Sequence, residues 1–409
     1  MNAPLPKSAT STAATTPYVF SQRAQKITSS IIREILKVTE RPEVISFAGG
    51  LPSPETFPIE VMKDAFDAVL NTRGKAALQY GPTEGFMPLR EWIAADLNAK
   101  GARVTAENIL LVSGSQQALD LLGKVLINPG QPVLVETPTY LGALQAFNLF
   151  EPSYRSVASD DEGLVPDAIT PELREGAAFL YALPNFQNPT GRTLHEDRRR
   201  ALVQKAVDLN LLVIEDDPYG DLRYEGQPQP MLLSIAAELG CENVVRMGSF
   251  SKTLAPGLRL GYIAAPKALM NKLVQAKQAT DLHTATISQM AVHQVVSSGF
   301  LTEHLPKIRA LYKNQCSVMI ESLREHLPAG VHFTVPEGGM FLWLTLPEGI
   351  DTMKLLDAAV AANVAFVPGA PFYANEITPN TLRLSFVTVP PEKIRAGVKV
   401  LAEVIKKAL

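Results

Sequence analysis

The sequence has few cysteines, no excess of positive charge and no long apolar run. Cys241 and Cys316 are its only cysteines, too few for a disulfide framework, which favours a reducing, cytoplasmic location. The 38 lysines and arginines are outnumbered by 41 acidic residues, and this balance argues against nucleic acid as a partner. No apolar run approaches the roughly 18 residues of a membrane span, which argues against a membrane partner.

The chain is long enough and apolar enough to form more than one packed domain. Its 409 residues suggest two or three domains at about 150 residues each, and hydrophobic residues make up 46% of the total. Residues 1–17 are small, polar and interrupted by proline, and they lack the apolar stretch of a secretory signal. We predict a disordered tail there, with a Ser/Thr-rich transit peptide as the alternative.

The segment that follows the tail contains isoleucines at a helical spacing. Ile27, Ile31 and Ile35 recur every four residues and therefore share one face of a predicted helix, with Arg33 off that stripe. Residues 42–58 are rich in proline and glycine, which predicts an extended loop after the helix.

Apolar runs alternate with helical stretches from about residue 60 to 300. Runs with the length of buried strands occur at 109–112, 132–135, 179–182, 211–214, 244–247 and 261–265. Helices are predicted between several of them, as at 115–127 and 195–210. This alternation is typical of an α/β fold with a mostly parallel central sheet sandwiched by helices, and such sheets bind ligands at the carboxyl ends of their strands.

The pattern changes at about residue 301. A long helical stretch over 301–326 precedes four apolar strands, and a last helix is predicted near 391–408. We therefore predict a smaller α+β domain over 301–409, after a large domain that ends at about residue 300.

A lysine follows one of the predicted strands. Residues 249–252 have the sequence Ser-Phe-Ser-Lys, and Arg259 comes shortly after Lys252. A lysine at a strand end, close to an arginine and two hydroxyls, suits an amine that forms a Schiff base beside a bound phosphate. A surface lysine in a serine-rich loop fits the same tetrapeptide.

Small residues link the strand at 109–112 to the next helix. Ser113, Gly114, Ser115 and Gln116 occupy this turn. Free backbone N–H groups and hydroxyls at a helix N-terminus can bind an anion. Ordinary capping of the helix by Ser113 or Ser115 explains the same residues.

Two further strand ends carry polar residues. The loop over 185–191 contains Asn188, whose amide is a candidate ligand contact, although a plain turn explains its Asn-Pro and Thr-Gly pairs equally well. The acidic run Glu215-Asp216-Asp217 needs a positive partner, and a protonated heterocyclic nitrogen of a cofactor would supply one. Helix capping and a divalent metal are the alternatives, and the absence of a histidine nearby in sequence argues against the metal.

An arginine lies within an apolar strand pattern of the second domain. This residue, Arg383, is expected to be half-buried, and a half-buried arginine pairs best with a bidentate anion. Either a structural Asp or Glu or the carboxylate of a substrate would satisfy it.

The order, spacing and strand-end positions of these motifs resemble the class I/II aminotransferases of pyridoxal-phosphate fold type I. The resemblance extends from about Tyr18 to the C-terminus and is strongest to the branch of 2-aminoadipate aminotransferase and kynurenine aminotransferase II. The motifs that carry it are SFAGGLPSPETFP, ALQYGPTEG, GSQQALD, FQNPTG, EDDPYGDL, GSFSKTLAPGLR and NTLRLSF. It implies a large cofactor-binding domain over 49–300 and an N-terminal segment over 18–48 that packs with the small domain and the active site.

The resemblance also implies catalytic and cofactor-binding roles. Lys252 is expected to hold pyridoxal 5'-phosphate as an internal aldimine and then to move the proton of the substrate Cα. Asp216 is expected to pair with the pyridine nitrogen. Asn188 and Tyr219 match the partners of the phenolic oxygen, and Tyr140 matches the aromatic residue that stacks on the ring. The implied phosphate cup consists of Ser115, Gln116, Ser249, Ser251 and Arg259.

Substrate and subunit contacts follow from the same resemblance. Arg383, assisted by Asn188, is expected to bind the α-carboxylate of an amino acid. Tyr80 matches a tyrosine that reaches the phosphate from the neighbouring subunit, which implies a homodimer with shared active sites.

The segment over the substrate side chain is expected to contain Ser30, Arg33 and Gly49. Arg33 matches an arginine that binds a distal carboxylate, as in 2-aminoadipate or glutamate. An exposed helix arginine paired with Glu34 explains Arg33 equally well.

The expected reaction is ping-pong transfer of the amino group of an L-amino acid to a 2-oxo acid such as 2-oxoglutarate. The expected donors are 2-aminoadipate and aromatic or branched-chain amino acids. Elimination or decarboxylation with the same cofactor is one alternative, because one fold can host several chemistries. A DNA-binding regulator with an aminotransferase-like domain is the other, disfavoured by the charge balance and by the short segment before the match.

Overall fold

The computed structural model describes residues 18–25, 35 and 41–409. The predicted tail over 1–17, and Ile27 and Ile31 of the predicted helix, lie outside the described residues. Ile35 is described, and its side chain is buried.

Strands and helices alternate through most of the described chain. The strands are β1 (Ile45–Ser46), β2 (Ile109–Val112), β3 (Pro132–Glu136), β4 (Ser153–Val157), β5 (Ser159–Asp160), β6 (Gly163–Leu164), β7 (Leu180–Ala182), β8 (Val213–Asp216), β9 (Val244–Ser249), β10 (Gly261–Ala264), β11 (His332–Phe333), β12 (Phe341–Thr345), β13 (Val364–Ala365), β14 (Val367–Pro368) and β15 (Thr381–Ser385). The helices are α1 (Gln22–Gln25), α2 (Ile59–Ala77), α3 (Met87–Ala99), α4 (Ser115–Leu126), α5 (Leu141–Phe147), α6 (Pro171–Arg174), α7 (Glu196–Asp208), α8 (Leu232–Leu239), α9 (Lys267–Asp281), α10 (Thr286–Ser297), α11 (Phe300–His326), α12 (Thr352–Ala361) and α13 (Pro391–Ala408).

The larger sheet has seven strands in the order β2-β10-β9-β8-β7-β3-β4. Only β10 runs antiparallel to its neighbours within this sheet. Both faces are covered: Leu110 and Val112 pack with residues of α4 and α5, whereas Ile109 and Leu111 pack with residues of α3. The predicted α/β fold, a mostly parallel sheet sandwiched by helices, is confirmed.

The six predicted strands all belong to this sheet, but some of their ends differ. The run predicted at 211–214 forms a strand from Val213 to Asp216, so two of the three consecutive acidic residues lie inside β8. The sequence analysis missed β4, which pairs only with β3 at the sheet edge. Most of its side chains are polar and not buried, and it therefore has no apolar run to find.

A second, four-stranded antiparallel sheet has the order β11-β12-β15-β14. Its core includes Leu342 and Leu384 from the strands, Tyr312 from α11 and Val398 from α13. Phe47, from the segment before the large sheet, lies in the same core. This segment is also bound through its backbone, because β1 pairs in parallel with β13.

None of the helices in the parts of the chain described above is both long and apolar enough to cross a membrane.

Candidate active site

Polar side chains gather at the carboxyl edge of the seven-stranded sheet. Asp216 ends β8 and Ser249 ends the neighbouring strand β9. Lys252 follows in the connection to β10, which returns antiparallel beside β9. The fold therefore places all three predicted residues at one edge, as expected for a ligand site in a parallel sheet.

The amine of Lys252 lies in a half-buried position and not on the surface. Its Nζ donates a hydrogen bond of 2.9 Å to the backbone oxygen of Gly50. Burial, together with the positive charges of Arg383 and Arg259, lowers the pKa of Lys252 to about 8. An amine with a lowered pKa is more readily available as a nucleophile and as a base, so the surface-lysine alternative does not fit this environment.

One carboxylate oxygen of Asp216 is left without a partner. Its Oδ2 accepts a hydrogen bond of 2.6 Å from the Tyr181 hydroxyl, whereas its Oδ1 is buried and, within the described residues, has no hydrogen-bond partner. Burial raises the pKa of Asp216 to about 7, and the negative charge of Asp217 adds to this rise. A cationic N–H group placed against Oδ1 would satisfy the oxygen and favour the charged carboxylate.

The other two acids of this run are paired within the protein. Arg246 forms ion pairs with Glu215 at 2.8 Å and with Asp217 at 2.7 Å. Burial alone would raise the pKa of Asp217, but the Arg246 guanidinium outweighs it and holds that pKa below its usual range. Asp217 also accepts from the backbone N–H of Gly220, so a turn-capping role fits Asp217 but not Asp216. Among the described residues, no group of three or more His, Cys, Asp or Glu is arranged to bind a metal.

A chain of hydrogen bonds links the two sheets at the site. Arg383, on β15, donates from Nη1 to Asn188 Oδ1 at 2.8 Å, and Asn188 Nδ2 donates to the Tyr219 hydroxyl at 3.4 Å. Asn188 is buried, so it does more than form a turn. Burial raises the pKa of Tyr219, which keeps its hydroxyl protonated and able to donate to a ligand.

The guanidinium of Arg383 is buried between aromatic rings. It lies 4.3 Å from the Phe341 ring centre and 5.2 Å from that of Phe372, and its Nη2 donates to the backbone oxygen of Ala48. Its Nε is buried and, in the described chain, unpartnered. Burial lowers the pKa of Arg383 to about 10, so it stays charged at neutral pH. A buried cation of this kind favours an anionic ligand.

The turn before α4 presents backbone N–H groups and an arginine. The N-cap of α4 is Gly114, with φ 82°, and the Ser113 hydroxyl bonds to Asp281 and Thr284 and not to the helix backbone, so capping by Ser113 or Ser115 does not explain the turn. The backbone of Gly114 (φ 82°, ψ 165°) is a conformation that only glycine adopts readily, and a Cβ there would lie 2.5 Å from Arg259 Nη2. The turn 249–251 is held by a 3.1 Å bond from the Ser251 N–H to Ser249 Oγ.

Two more predicted cofactor residues flank this turn. Tyr140 precedes α5, and Gln116 Nε2 donates to the backbone oxygen of Gly142 at 3.4 Å. Burial raises the pKa of Tyr140, the negative charge of Asp216 adds to the rise, and nearby arginines oppose it. Tyr140 is therefore within electrostatic range of Asp216.

The matching family model describes class I and II aminotransferases and covers residues 42–401. The chain belongs to this family. Its sequence is 46% identical over 400 residues to an aromatic-amino-acid aminotransferase of Thermococcus litoralis, covering 95% of this chain and 94% of the relative. The chain is therefore a pyridoxal-phosphate-dependent aminotransferase of fold type I.

Two solved aminotransferases have the same fold over nearly their whole length. A kynurenine aminotransferase of Pyrococcus horikoshii, in complex with PMP, superposes with a TM-score of 0.91 at 44% identity, covering 95% of this chain and 97% of the other. An alpha-aminoadipate aminotransferase of Thermus thermophilus, complexed with N-(5'-phosphopyridoxyl)-L-leucine, superposes with a TM-score of 0.89 at 43% identity and the same coverages.

The residues of this aminotransferase fit the cofactor. The unpartnered Oδ1 of Asp216 suits a protonated ring nitrogen, the Gly114 turn with Arg259 suits a phosphate, and the amine of Lys252 suits an aldehyde carbon. When bound, pyridoxal phosphate supplies an electron sink for the negative charge left at the substrate Cα.

One predicted residue, Tyr80, is not brought to this group within one chain, and another, Gly49, only adjoins it. Tyr80 is 79% exposed and packs against His283, with ring centres 5.8 Å apart. Ser30 and Arg33 lie outside the described residues. Gly49 adjoins Gly50, the acceptor of the Lys252 amine, and a Cβ at Gly49 would meet no atom within 4 Å.

The sequence analysis missed Tyr181 and Glu136. Tyr181 lies within an apolar run, and a buried tyrosine hydroxyl needs a partner, which was the available signal. Glu136 ends β3 as Asp216 ends β8, and it accepts from the Leu183 N–H at 2.9 Å. Burial raises the pKa of Glu136 to about 8. An acid at the end of a buried strand was the signal for this residue.

Proposed function

We propose that this aminotransferase transfers the amino group of an L-amino acid to a 2-oxo acid with Lys252 as its base. The observation that carries the proposal is the unpartnered carboxylate oxygen of Asp216 at the same strand edge as a lysine of lowered pKa. With the cofactor bound, Lys252 Nζ would act as the general base that removes the proton from the substrate Cα and returns a proton in the transfer. A lowered pKa leaves a useful fraction of the amine unprotonated near neutral pH.

The neighbouring side chains orient the cofactor and hold its charges. Asp216 keeps the ring nitrogen protonated, and Tyr181 holds Asp216 in place through its 2.6 Å bond. Tyr219 and Asn188 donate to the phenolic oxygen, and Tyr140 covers the ring. The phosphate is bound by the amides of Ser115 and Gln116 with Ser249, Ser251 and Arg259.

Arg383 binds the α-carboxylate of every substrate in this proposal, and Asn188 assists it. Its buried charge and unpartnered Nε support this role. Donor side chains then extend toward Gly49, and toward Arg33 and Ser30 of the N-terminal segment. The names of the relatives support 2-aminoadipate and aromatic donors, and the leucine adduct of the Thermus enzyme supports a branched-chain donor.

We propose that two copies of the chain form a homodimer with shared active sites. Tyr80 of each copy would reach the phosphate of the other, which agrees with its 79% exposure. Other large apolar side chains in residues 51–87 are also exposed, namely Leu51, Ile59, Leu70, Leu78 and Met87. Burial of these side chains against a second copy would remove apolar surface from water.

We propose a domain division at the residues that the sequence suggested. The large cofactor-binding domain spans 49–300, the small domain spans 301–409, and residues 18–48 pack with the small domain and the site. The pairing of β1 with β13 supports this assignment. A cytoplasmic location is proposed as well, supported by the two free cysteines.

The test is the visible spectrum of the purified protein with pyridoxal phosphate, recorded before and after L-2-aminoadipate and then after 2-oxoglutarate. A yellow band that bleaches and then returns supports a reversible half-reaction. Lys252→Ala is the matched control, because it removes the amine that gives the yellow form. Release of ammonia or carbon dioxide without transfer of the amino group to 2-oxoglutarate would replace the proposal by elimination or decarboxylation.

A further inference from the structure

A fully buried lysine outside the proposed site lies directly behind the phosphate turn. The side chain of Lys277, on α9, is 0% exposed. Its Nζ donates to Gln117 Oε1 at 2.7 Å, to Asp281 Oδ1 at 2.9 Å and to Thr284 Oγ1 at 3.0 Å. Each proton of the ammonium group therefore has an acceptor. The desolvation cost of such a pair is offset only where its geometry is good, so its partners are held in fixed positions.

The same partners hold the residue that begins the phosphate turn. Gln117 Oε1 accepts from the Ser113 N–H at 2.7 Å, and Gln117 Nε2 donates to Asp281 Oδ2 at 2.7 Å. The Ser113 hydroxyl donates to Asp281 Oδ2 at 3.2 Å, and its backbone oxygen accepts from Arg259 at 3.5 Å. The donors and acceptors of Ser113 are thus bonded to this ion pair on one side and to the phosphate-binding arginine on the other.

The polar chain continues to the exposed tyrosine. The backbone oxygen of Thr284 lies 2.8 Å from His283 Nδ1, and His283 Nε2 accepts from the Gly81 N–H at 3.2 Å. Because Nε2 accepts, Nδ1 carries the proton, and both ring nitrogens are used. The His283 ring packs edge-on against Tyr80. A continuous set of hydrogen bonds therefore joins the phosphate turn to the Tyr80 loop, defined as residues 78–86.

A second link starts from the same threonine. Gln289 Nε2 donates to the Thr284 backbone oxygen at 2.7 Å, and Gln289 Oε1 accepts from the Phe86 N–H at 2.6 Å. Gly81 and Phe86 of the Tyr80 loop are thus both linked to Thr284, which accepts a hydrogen bond from the Lys277 ammonium.

We propose that Lys277 and Asp281 are positioning residues of a relay that couples phosphate binding at the Ser113–Gln116 turn to the conformation of the Tyr80 loop. A bound phosphate fixes the position of the turn. Because Asp281 accepts from Ser113 and Lys277 donates to both Asp281 and Thr284, a displacement of Ser113 also displaces Thr284. Such coupling is reciprocal, so the loop also changes the affinity of the turn for phosphate. The inference rests on the proposed function in one respect, which is that this turn binds the cofactor phosphate.

The first experiment measures the dissociation constant of pyridoxal phosphate from the full chain freed of cofactor. Lys277→Met should weaken binding about tenfold, within the usual range of coupling between sites. Lys124→Met is the matched control, because Lys124 joins the same two helices through Asp120 at 3.1 Å and Thr280 at 2.8 Å at the surface. The control should change the constant less than about twofold. Equal effects of the two variants would overturn the relay.

A milder variant covers the case in which Lys277→Met does not fold, since that change leaves Gln117, Asp281 and Thr284 without the ammonium that they accept from. Thr284→Val keeps the branched side-chain shape and removes the hydroxyl, which accepts from Lys277 at 3.0 Å and lies 3.2 Å from the Ser113 hydroxyl. We expect it to fold and to weaken pyridoxal phosphate binding at least threefold. Unchanged binding by folded Thr284→Val would contradict the relay.

The second experiment measures hydrogen exchange of the Gly81 and Phe86 amides with and without pyridoxal phosphate. It uses Tyr80→Phe throughout, because that variant removes any direct contact of the tyrosine hydroxyl with a phosphate. The cofactor should still slow exchange of both amides, and adding Thr284→Val should abolish that slowing. Loss of all slowing in Tyr80→Phe alone would overturn the relay and leave direct contact as the link. A wild-type chain that binds no pyridoxal phosphate would instead contradict the proposed function.

Discussion

Two neighbouring aspartates on one strand end have opposite environments. Asp217 is paired with Arg246 and hydrogen-bonded by Asn185, and its pKa is lowered, whereas Asp216 keeps a buried oxygen unpartnered within the described chain and its pKa is raised to about 7. Because successive side chains of a strand point to opposite faces, adjacent residues can serve different purposes. Asp217 therefore stabilises the protein framework, whereas Asp216 has an oxygen free for a cation that none of the described residues supplies.

A buried and a half-buried lysine repeat this contrast. Lys277 has an acceptor for every proton, including both oxygens of Asp281. Among the described residues, Lys252 donates only to the backbone oxygen of Gly50, and it lies close to two arginines that disfavour its charge. Residue type and burial therefore do not distinguish a framework group from a reactive one. Hydrogen-bond and ion pairing do distinguish them, because the reactive groups are those that the described residues leave without a full set of partners.

The largest effect should come from removing the unpaired lysine. Lys252→Ala should lower kcat for transamination at least roughly 10⁴-fold, because no other described amine occupies its position to move the Cα proton. The variant should still fold, since no ion pair is lost. The measurement is turnover of L-2-aminoadipate and 2-oxoglutarate, with Lys124→Ala as control. Near-normal turnover would remove Lys252 from its role.

Replacing each of the two aspartates by asparagine in separate variants should distinguish an effect on folding stability from an effect on the rate of Cα deprotonation. Asp217→Asn breaks a buried ion pair and should lower the free energy of unfolding by about 3–5 kcal/mol. Asp216→Asn breaks no ion pair, so it should fold normally while slowing Cα deprotonation roughly 10²-fold, because the ring nitrogen loses its counter-charge. Urea unfolding and exchange of the Cα proton with solvent measure the two effects. If Asp217→Asn slowed exchange as much as Asp216→Asn, the division between framework and reactive acid would be wrong.

The sequence was sufficient to predict six of the seven strands of the large sheet and the motifs at their ends, because buried strands form apolar runs and their ends carry the polar residues. It could not show which acid of the run Glu215-Asp216-Asp217 is paired, since Arg246 lies on another strand. It also could not show Tyr181, an ordinary member of an apolar run. These contacts depend on strand order, which local patterns do not specify.

The stability of the cofactor-free chain should depend on pH through Lys252. Its pKa is about 8 in the folded chain and about 10.4 when unfolded, so the unfolded state binds more protons between these values. Stability therefore rises with pH across this window. Lys252→Met removes the effect and should be more stable than the wild type by about 2–3 kcal/mol below pH 8, with the difference fading by about pH 10.5. Urea midpoints at several pH values measure this, and Lys124→Met should show no such trend.

The smallest effect tests whether a second arginine discriminates among substrates. Arg383 binds the α-carboxylate that all amino acids share, so only a further cation would favour a distal carboxylate. Arg33→Ala should therefore lower kcat/KM for 2-aminoadipate about fivefold more than for leucine or phenylalanine, as expected for a solvent-accessible ion pair of about 1 kcal/mol. Arg41→Ala is the control from the same part of the chain, because Arg41 lies at the surface 3.9 Å from Glu43. Equal losses for all substrates would make Arg33 a structural residue, and the preference for dicarboxylic donors would then have to come from the pocket near Gly49.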